Sequence, residues 1–258
     1  MKARIDGDLL VYELAFGAED RKSGEVYSFE SIIPRADKKI ADIMDAVGAD
    51  SYVIYLTGKG NFREEIAVTK EYKGGRGAKP YHYANVRAYL ESLGAIVVDG
   101  MEADDAMAIE QMKAYWYGCE GESVICSRDK DLRQVPGYHY GWETHNQPEY
   151  AMKWTDELGS IELTDKNKLK GDGLKFFYAQ LIMGDSTDNI PGIKGKGDVF
   201  AYNLLESCTS EAEMSELVRR AYDNDELMLE QGRLLWMVRE LDEEGKPVMW
   251  EIYDAVPD

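Results

Sequence analysis

The sequence predicts an α/β domain with a parallel sheet covered by helices on both faces, followed by a mostly helical region. In the first half, short runs rich in Val and Ile alternate with amphipathic stretches, which is typical of a parallel sheet. From about residue 138 the pattern changes to an aromatic-rich segment typical of a hairpin, and then to helical periodicity alone. With 258 residues, 44% of them hydrophobic, the chain can form one large domain or a domain with a subdomain.

The elements follow in order along the chain. The predicted strands are residues 2–6, 52–56, 95–99 and 123–127, and the predicted helices between them are 36–48, 83–94 and 102–118. Further helices are predicted at 173–183, 198–207, 211–223 and 225–241. We therefore expect an α/β domain over residues 1–165 and a helical region over residues 166–258.

Composition excludes several classes of protein. No window of about 18 apolar residues occurs, so no membrane partner is expected, and the start "MKARIDGDLL" is not a secretion signal. Three cysteines without paired spacing, Cys119, Cys126 and Cys208, argue for the reducing cytoplasm and against structural zinc. The net charge of −19 alone argues against nucleic acid, unless the acids converge and hold divalent cations.

Acidic side chains follow three of the predicted strands. Asp6 ends the first strand, the acids of "GMEADD" follow the third, and those of "SRDKDL" follow the fourth; the latter two sets are Glu102, Asp104, Asp105, Asp129 and Asp131. The carboxyl ends of parallel strands share one edge of the sheet, so we expect these carboxylates to converge there. Each set alone could be a helix cap or a solvated turn. Together, oxygen ligands without His or Cys favour two Mg²⁺ ions, with Mn²⁺ as an alternative.

A basic stretch follows the second strand, at residues 62–83. It carries Arg63, Lys70, Lys73, Arg76 and Lys79, interleaved with Tyr72, Tyr81 and Tyr83. A solvated loop is the simpler interpretation. However, this is the most basic part of an acidic chain, and Lys or Arg can bind phosphates while Tyr stacks on bases.

The segment "GDSTDNIPGIKGKG", residues 184–197, connects two predicted helices. Its glycines, Gly192, Gly195 and Gly197, allow close backbone approach, and the next helix begins with exposed amides that can bind phosphate beside Lys194 and Lys196. A plain glycine turn would not explain why Asp185 and Asp188 come immediately before it. We expect these two aspartates to face the metal ions while the turn binds the duplex backbone.

Five segments together resemble the 5′ nuclease (flap endonuclease) family, in particular the phage 5′–3′ exonucleases and the 5′ nuclease domain of bacterial DNA polymerase I. They are "IDGDLLVY", "FREEIAVTKEYKGGR", "GMEADDAMA", "ICSRDKDLRQV" and "MGDSTDNIPGIKGKG", and they cover about residues 2 to 200 in the family's order. The resemblance implies a PIN-like α/β domain and a helix–three-turn–helix motif at about 174–207. It also implies Mg²⁺-dependent 5′–3′ exonuclease activity on DNA, with 5′-flap cleavage and cleavage of RNA in RNA–DNA hybrids as further activities.

The resemblance also implies roles for individual residues. The first metal ion would lie at or beside Asp6, Glu102, Asp104 and Asp105, and the second would be served by Asp129, Asp131, Asp185 and Asp188. The predicted catalytic residues are Lys73, Arg76, Asp104 and Asp129. DNA would contact Arg63, Lys70, Tyr72, Lys73, Arg76, Gly192, Lys194, Gly195, Lys196 and Gly197. K⁺ would bind backbone carbonyls of Ile182, Met183, Pro191, Ile193 and Lys196.

One position departs from the family pattern. Many relatives end the second strand in a metal-binding aspartate, whereas this chain has Thr57 and Gly58 there. Asp8 or Asp99 could take its place, or a water molecule could complete the shell of the first metal ion. A weaker affinity for that ion is the expected consequence. Two other interpretations therefore stay open: a structure-specific DNA-binding protein without catalysis, and a PIN-type ribonuclease. For all three we expect a monomer in the cytoplasm, or in the host cytoplasm if the chain is phage-encoded.

Overall fold

The computed structural model describes residues 1–20, 22–74 and 77–253, and within them the chain has eight β-strands and nine α-helices. The strands are β1 (Lys2–Asp6), β2 (Ser51–Thr57), β3 (Ile96–Val98), β4 (Ser123–Cys126), β5 (Gly137–Gly141), β6 (Tyr150–Thr155), β7 (Ile161–Leu163) and β8 (Leu169–Gly171). The helices are α1 (Gly7–Phe16), α2 (Ile33–Val47), α3 (Phe62–Ile66), α4 (Tyr83–Ser92), α5 (Ala103–Trp116), α6 (Gly173–Met183), α7 (Asp198–Leu205), α8 (Glu211–Tyr222) and α9 (Asp225–Leu235). No helix in this part of the chain is long and apolar enough to span a bilayer.

The described residues form two compact units that interleave along the chain. The first comprises Met1–Gly60, Gly77–Asp129 and Gly137–Trp154. The second comprises the described parts of Asn61–Arg76, Lys130–Pro136 and Thr155–Asp258. The predicted division at residue 165 therefore differs from the structure, where two short segments before Thr155 belong to the second unit, which then continues from Thr155 itself. Side chains in these segments bond to residues far along the chain, which a pattern of local elements does not reveal.

The sheet of the first unit has the strand order β3-β2-β1-β4-β5-β6. β1 pairs in parallel with both β2 and β4, with Lys2 opposite Ser51 on one side and Ser123 on the other. β2 pairs in parallel with β3, and β4 pairs in parallel with β5. The carboxyl ends of these five strands therefore share one edge of the sheet. Mostly parallel strands with intervening helices confirm the predicted fold class.

The helices of the first unit pack with their apolar side chains inward. In α2 the buried residues Ala36, Ile40, Ile43 and Val47 recur at helical spacing, and the helix ends at Gly48, whose φ of 63° favours glycine. Helix α1, which the sequence pattern did not predict, begins directly after β1 with Asp6 as its N-cap. Its buried residues join the core formed by the sheet and α2, so α1 lacks one clear polar face.

The second unit is built around α6. Nine of its eleven residues are buried, among them Phe177, whose ring meets the rings of Trp236 and Trp250 at centroid distances of 5.0 and 5.3 Å. α6, residues 184–197 and α7 form the helix–turn–helix arrangement that the sequence predicts. Three features differ from the prediction: α3 was not predicted, β7 and β8 form an antiparallel hairpin, and α9 ends at Leu235 rather than at 241. Trp236 leaves the helix in an extended conformation.

Candidate functional site

Asp6 lies where β1 ends and α1 begins, and it is 5% exposed. One carboxylate oxygen, Oδ1, accepts a hydrogen bond from the Leu9 amide at 2.9 Å, and Oδ2 accepts one from the Ser127 hydroxyl at 2.7 Å. Burial raises the pKa of Asp6 to about 6, because the two hydrogen bonds offset only part of the desolvation and the charge of Asp8 adds to it. The carboxylate is thus held in a fixed orientation at the sheet edge, in surroundings that favour a nearby cation.

Ser127 connects two of the predicted metal-binding segments. While its hydroxyl donates to Asp6, its Oγ accepts a hydrogen bond from the Asp129 amide at 2.9 Å. Asp129 itself is exposed just beyond the end of β4. No role for Ser127 was predicted from the sequence, where its only signal was a hydroxyl residue at the end of a strand, shortly before acidic residues.

The acids that follow β3 lie at the N-terminus of α5. The Glu102 amide donates to Asp105 Oδ2 at 3.2 Å, which makes Asp105 part of the helix cap. Glu102 is 8% exposed and Asp105 is fully buried, whereas Asp104 is partly exposed. The capping interpretation and the metal-binding prediction are compatible here, because an oriented carboxylate at a strand end can serve both.

Thr57, one of the two residues at the position of the missing aspartate (Gly58 is the other), ends β2 and contacts both neighbouring segments. Its hydroxyl accepts a hydrogen bond from the Ala103 amide at 3.0 Å, and its own amide donates to Asp8 Oδ2 at 2.9 Å. Asp99 instead accepts from the Lys59 amide at 2.6 Å and is exposed. Of the two acids considered as substitutes, Asp8 is therefore the one in contact with Thr57.

The second unit contains Asp131 and Asp185, with the Lys130 ammonium between them. Lys130 Nζ lies 2.5 Å from Asp185 Oδ2 and 3.5 Å from Asp131 Oδ1. The other oxygen of Asp185 accepts from the Thr187 amide at 2.7 Å. Burial of the Asp185 carboxylate raises its pKa, but the hydrogen bond and charge of Lys130, aided by the turn amides, outweigh this and leave the pKa lowered.

Asp188, in the same turn, contacts the basic segment. Its carboxylate accepts a hydrogen bond from the Tyr72 hydroxyl at 3.1 Å and lies 3.7 Å from Lys73 Nζ, while its carbonyl accepts from the Lys73 amide at 3.2 Å. Tyr72, expected to stack on a base, is 8% exposed. The structure thus brings Tyr72 and Lys73 to a predicted metal ligand. Arg76 lies outside the described residues.

The predicted contact between Arg63 and DNA is wrong. Its side chain is fully buried, and it donates to the carbonyls of Leu234 at 3.0 Å and Trp236 at 2.6 Å. A guanidinium enclosed in this way cannot reach a phosphate, so Arg63 holds the second unit together instead. Lys70, seven residues later, is exposed.

The turn between α6 and α7 exposes the lysines that the sequence singled out. Lys194 and Lys196 are exposed, and Gly195 and Gly197 have open space around their Cα atoms, so their backbone is accessible. Gly192 is buried instead, and a side chain there would collide with the backbone of Gly184. Two of the carbonyls predicted to bind K⁺ accept internal hydrogen bonds: that of Ile182 from the Ile193 amide, and that of Ile193 from the Lys196 amide. The K⁺ site stays a prediction.

Within residues 1–20, 22–74 and 77–253, no three His, Cys, Asp or Glu side chains come together in a way that would hold a metal ion. The predicted ligands instead bond to protein groups: Asp6 to Ser127, Asp8 to Thr57, Asp185 to Lys130 and Asp188 to Tyr72. Lys130, like Ser127, is a functional candidate that sequence reasoning missed. Its signal was a lysine placed between two acids in "RDKD".

The sequence matches no protein-family model. Among curated proteins, the chain is 31% identical over 216 residues to a 5′–3′ exonuclease of Mycoplasmopsis pulmonis, covering 80% of this chain and 66% of that protein. It is 26% identical over 244 residues to a 5′–3′ exonuclease of Buchnera aphidicola subsp. Schizaphis graminum, covering 86% and 73%. With DNA polymerase I of Bacillus subtilis it shares 26% over 235 residues, or 83% of this chain and 24% of the polymerase.

Solved structures show the same fold. The T5 5′-exonuclease with divalent zinc ions bound superimposes with a TM-score of 0.59 at 19% identity, covering 91% of this chain and 89% of that one. Flap endonuclease-1 from Methanococcus jannaschii superimposes with a TM-score of 0.54 at 16% identity, covering 94% and 80%. This likeness confirms the predicted PIN-like α/β architecture with its helical region.

Proposed function

Because the chain belongs to the 5′ nuclease family, we propose that it is a divalent-metal-dependent 5′–3′ exonuclease acting on DNA. The observation that carries this proposal is the set of acids at the carboxyl edge of the sheet. Asp6 ends β1, Glu102 follows β3, and Asp129 follows β4. These three strands run in the same direction, because β1 pairs in parallel with β2 and β4, and β2 pairs in parallel with β3. Such an edge is where parallel α/β folds place their chemistry.

The candidate ligands fit Mg²⁺, with Mn²⁺ as an alternative. All of them are carboxylates, the donors that these ions prefer. At Asp131 and Asp185 the Lys130 ammonium already occupies a position between two oxygens, so these carboxylates are arranged to hold a cation. When bound, two divalent ions supply activation of the attacking water and neutralisation of charge on the scissile phosphate.

Side chains and backbone amides of the protein orient the ligands and bind the phosphate in this proposal. Ser127 and the Leu9 amide keep the Asp6 carboxylate oriented, and the Thr187 amide does the same for Asp185. In the proposal, Lys73 and Arg76 bind the phosphate to be cut, which positions it and offsets its negative charge. Because Lys73 contacts Asp188, DNA phosphate would compete with that carboxylate for the same ammonium.

In this proposal, the turn before α7 binds the phosphates of the DNA duplex. Exposed Lys194 and Lys196 flank accessible backbone at Gly195 and Gly197, and α7 begins at Asp198 with its amides towards that turn. Lysines and helix N-terminal amides together bind phosphate without reading sequence. We further propose that the substrates include 5′ flaps and RNA–DNA hybrids, that K⁺ binds the turn carbonyls, and that the protein acts as a monomer.

The test is cleavage of a 5′-labelled duplex and a 5′-flap duplex across a Mg²⁺ titration. We expect short 5′ products that depend on metal, their loss in Asp129→Ala, and full activity in Asp165→Ala, an exposed acid in the β7–β8 turn. Asp129→Ala should still bind DNA, since it removes negative charge. Cleavage by Asp129→Ala at the wild-type rate would refute the assignment.

A second candidate function is a structure-specific DNA-binding protein without catalysis. The pair Thr57 and Gly58 favours it, because many relatives carry a metal-binding aspartate there, whereas the Thr57 hydroxyl accepts a hydrogen bond from the Ala103 amide. Binding of the flap duplex in a gel shift, with no cleavage at any Mg²⁺ or Mn²⁺ concentration, would support this function. Cleavage of single-stranded RNA alone would support a PIN-type ribonuclease instead.

A further inference from the structure

The Lys130 ammonium lies close to two predicted metal ligands at once. It lies 2.5 Å from Asp185 Oδ2, and the Asp185 side chain is only 4% exposed. It also lies 3.5 Å from Asp131 Oδ1, whose side chain is 13% exposed. One cation thus serves two largely buried carboxylates, while the Lys130 side chain remains 49% exposed and can withdraw into solvent.

Both carboxylates are oriented by other groups, independently of Lys130. Asp185 Oδ1 accepts from the Thr187 amide, and the turn is closed by two backbone hydrogen bonds between Asp185 and Ile190, of 2.8 and 2.7 Å. Asp131 Oδ1 accepts from Gln180 Nε2 at 2.5 Å. The oxygens will therefore stay close to their present positions if the ammonium leaves, and they will again require a cation because buried carboxylates need one.

We propose that Lys130 is a built-in competitor of a divalent ion: its ammonium holds Asp131 and Asp185 in the metal-free protein and must leave before a divalent cation binds there. This inference rests on the proposed function, in which these acids are metal ligands. Two cations cannot share the same pair of oxygens, because their mutual repulsion at such distances is strong. The competition lowers the affinity for metal and at the same time stabilises the metal-free fold.

The inference depends on the charge of Lys130, so three substitutions separate the effect of that charge from the effects of side-chain length and hydrogen bonding. Lys130→Met removes the charge and keeps the length, Lys130→Gln removes the charge and keeps a hydrogen-bond donor, and Lys130→Arg keeps the charge. The matched control is Lys168→Met, because exposed Lys168 also pairs with an aspartate, Asp198, at 3.4 Å in the same unit. Circular dichroism establishes that each variant is folded. If Lys130→Met does not fold, Lys130→Gln takes its place as the variant without the charge.

The measurement is Mn²⁺ binding without DNA, followed by calorimetry and by the electron paramagnetic resonance signal of the free ion. We expect Lys130→Met and Lys130→Gln to bind the Mn²⁺ ion at Asp131 and Asp185 about tenfold more tightly, which is within the range usual for coupled sites. Lys130→Arg and Lys168→Met should bind as the wild type does. A structural role for Lys130 would instead weaken binding or leave it unchanged, and either result overturns the inference.

Asp185→Asn separates this inference from the function on which it rests. We expect Asp185→Asn to bind one fewer Mn²⁺, and the double variant with Lys130→Met to show no gain in affinity. If Asp185→Asn binds as many ions as the wild type, the metal assignment of the proposed function fails along with the inference. If Asp185→Asn loses an ion but Lys130→Met does not tighten binding, only the role of Lys130 is refuted.

Discussion

Replacing Arg63 by Met tests whether this residue stabilises the protein or contacts DNA. The guanidinium is fully buried, donates to the carbonyls of Leu234 and Trp236, and lies 4.6 Å from the centroid of the Phe62 ring. Methionine keeps much of the apolar volume but leaves both carbonyls without this donor. Each carbonyl left in this way costs about 1–3 kcal/mol, and relief of the buried charge offsets part of the sum. We expect a net loss of about 3 kcal/mol in the free energy of unfolding.

The assay is urea unfolding followed by tryptophan fluorescence and circular dichroism, together with DNA binding across a salt series. The fluorescence of Trp236 reports directly, because its carbonyl accepts a hydrogen bond from Arg63. Lys70→Met is the control, since Lys70 is exposed in the same basic segment. It should leave the unfolding midpoint unchanged and reduce the slope of log affinity against log salt by about 0.9, the effect of one lost phosphate contact.

The two variants should thus show opposite behaviour. Arg63→Met should lower the urea midpoint and leave the salt slope as it is. If Arg63→Met unfolds at the wild-type urea concentration and flattens the salt dependence instead, Arg63 contacts DNA, and the structural role assigned to its buried bonds is wrong.

Three further outcomes follow from the site. Asp6 has a pKa raised to about 6 in the folded chain, so its contribution to stability is present at low pH and is lost as pH rises through that value; Asp6→Asn should stabilise the metal-free protein at pH 8 by up to about 3 kcal/mol. Urea unfolding in EDTA from acid to pH 8 checks this, and an unaltered pH profile in the variant would contradict it. Thr57→Asp should lower the Mg²⁺ concentration needed for half-maximal cleavage several-fold, because it restores a carboxylate at the end of β2; an unchanged requirement would place the ion elsewhere. Lys194→Ala or Lys196→Ala should weaken duplex binding and reduce its salt slope by about 0.9 each; wild-type slopes in both would remove the turn from the DNA interface.

Local patterns were sufficient for four of the six strands of the sheet and for the placing of acids at its edge. Short apolar runs, rich in Val and Ile in β2 to β4, identified the first four strands, and the rule for parallel strands then put Asp6 and Asp129 at the same edge. The pattern failed for α1, because "GDLLVYELAF" is apolar on more than one face and has no clear helical periodicity. It failed for β7 and β8 as well, because strands of three residues are too short to show alternation.

Long-range pairing explains what sequence reasoning missed at the site. Arg63 appeared to be one basic residue among several, because its carbonyl partners lie 171 and 173 residues further along the chain. Lys130 was overlooked for the same reason, since Asp185 is 55 residues away. The spacing of charged residues indicated which side chains could bind phosphate or metal. Only the folded chain shows which of those side chains are already occupied by one another.

The interleaving of the two units has a consequence for how this protein can be cut and recombined. No single break in the chain releases either unit whole, because residues 61–74 and 130–136 belong with the region beyond Thr155. A fragment ending at residue 165 would carry Arg63 without the carbonyls that surround it, and Lys130 without Asp185. Exchange of the helical region between relatives should therefore yield stable chimaeras only if both short segments are exchanged with it.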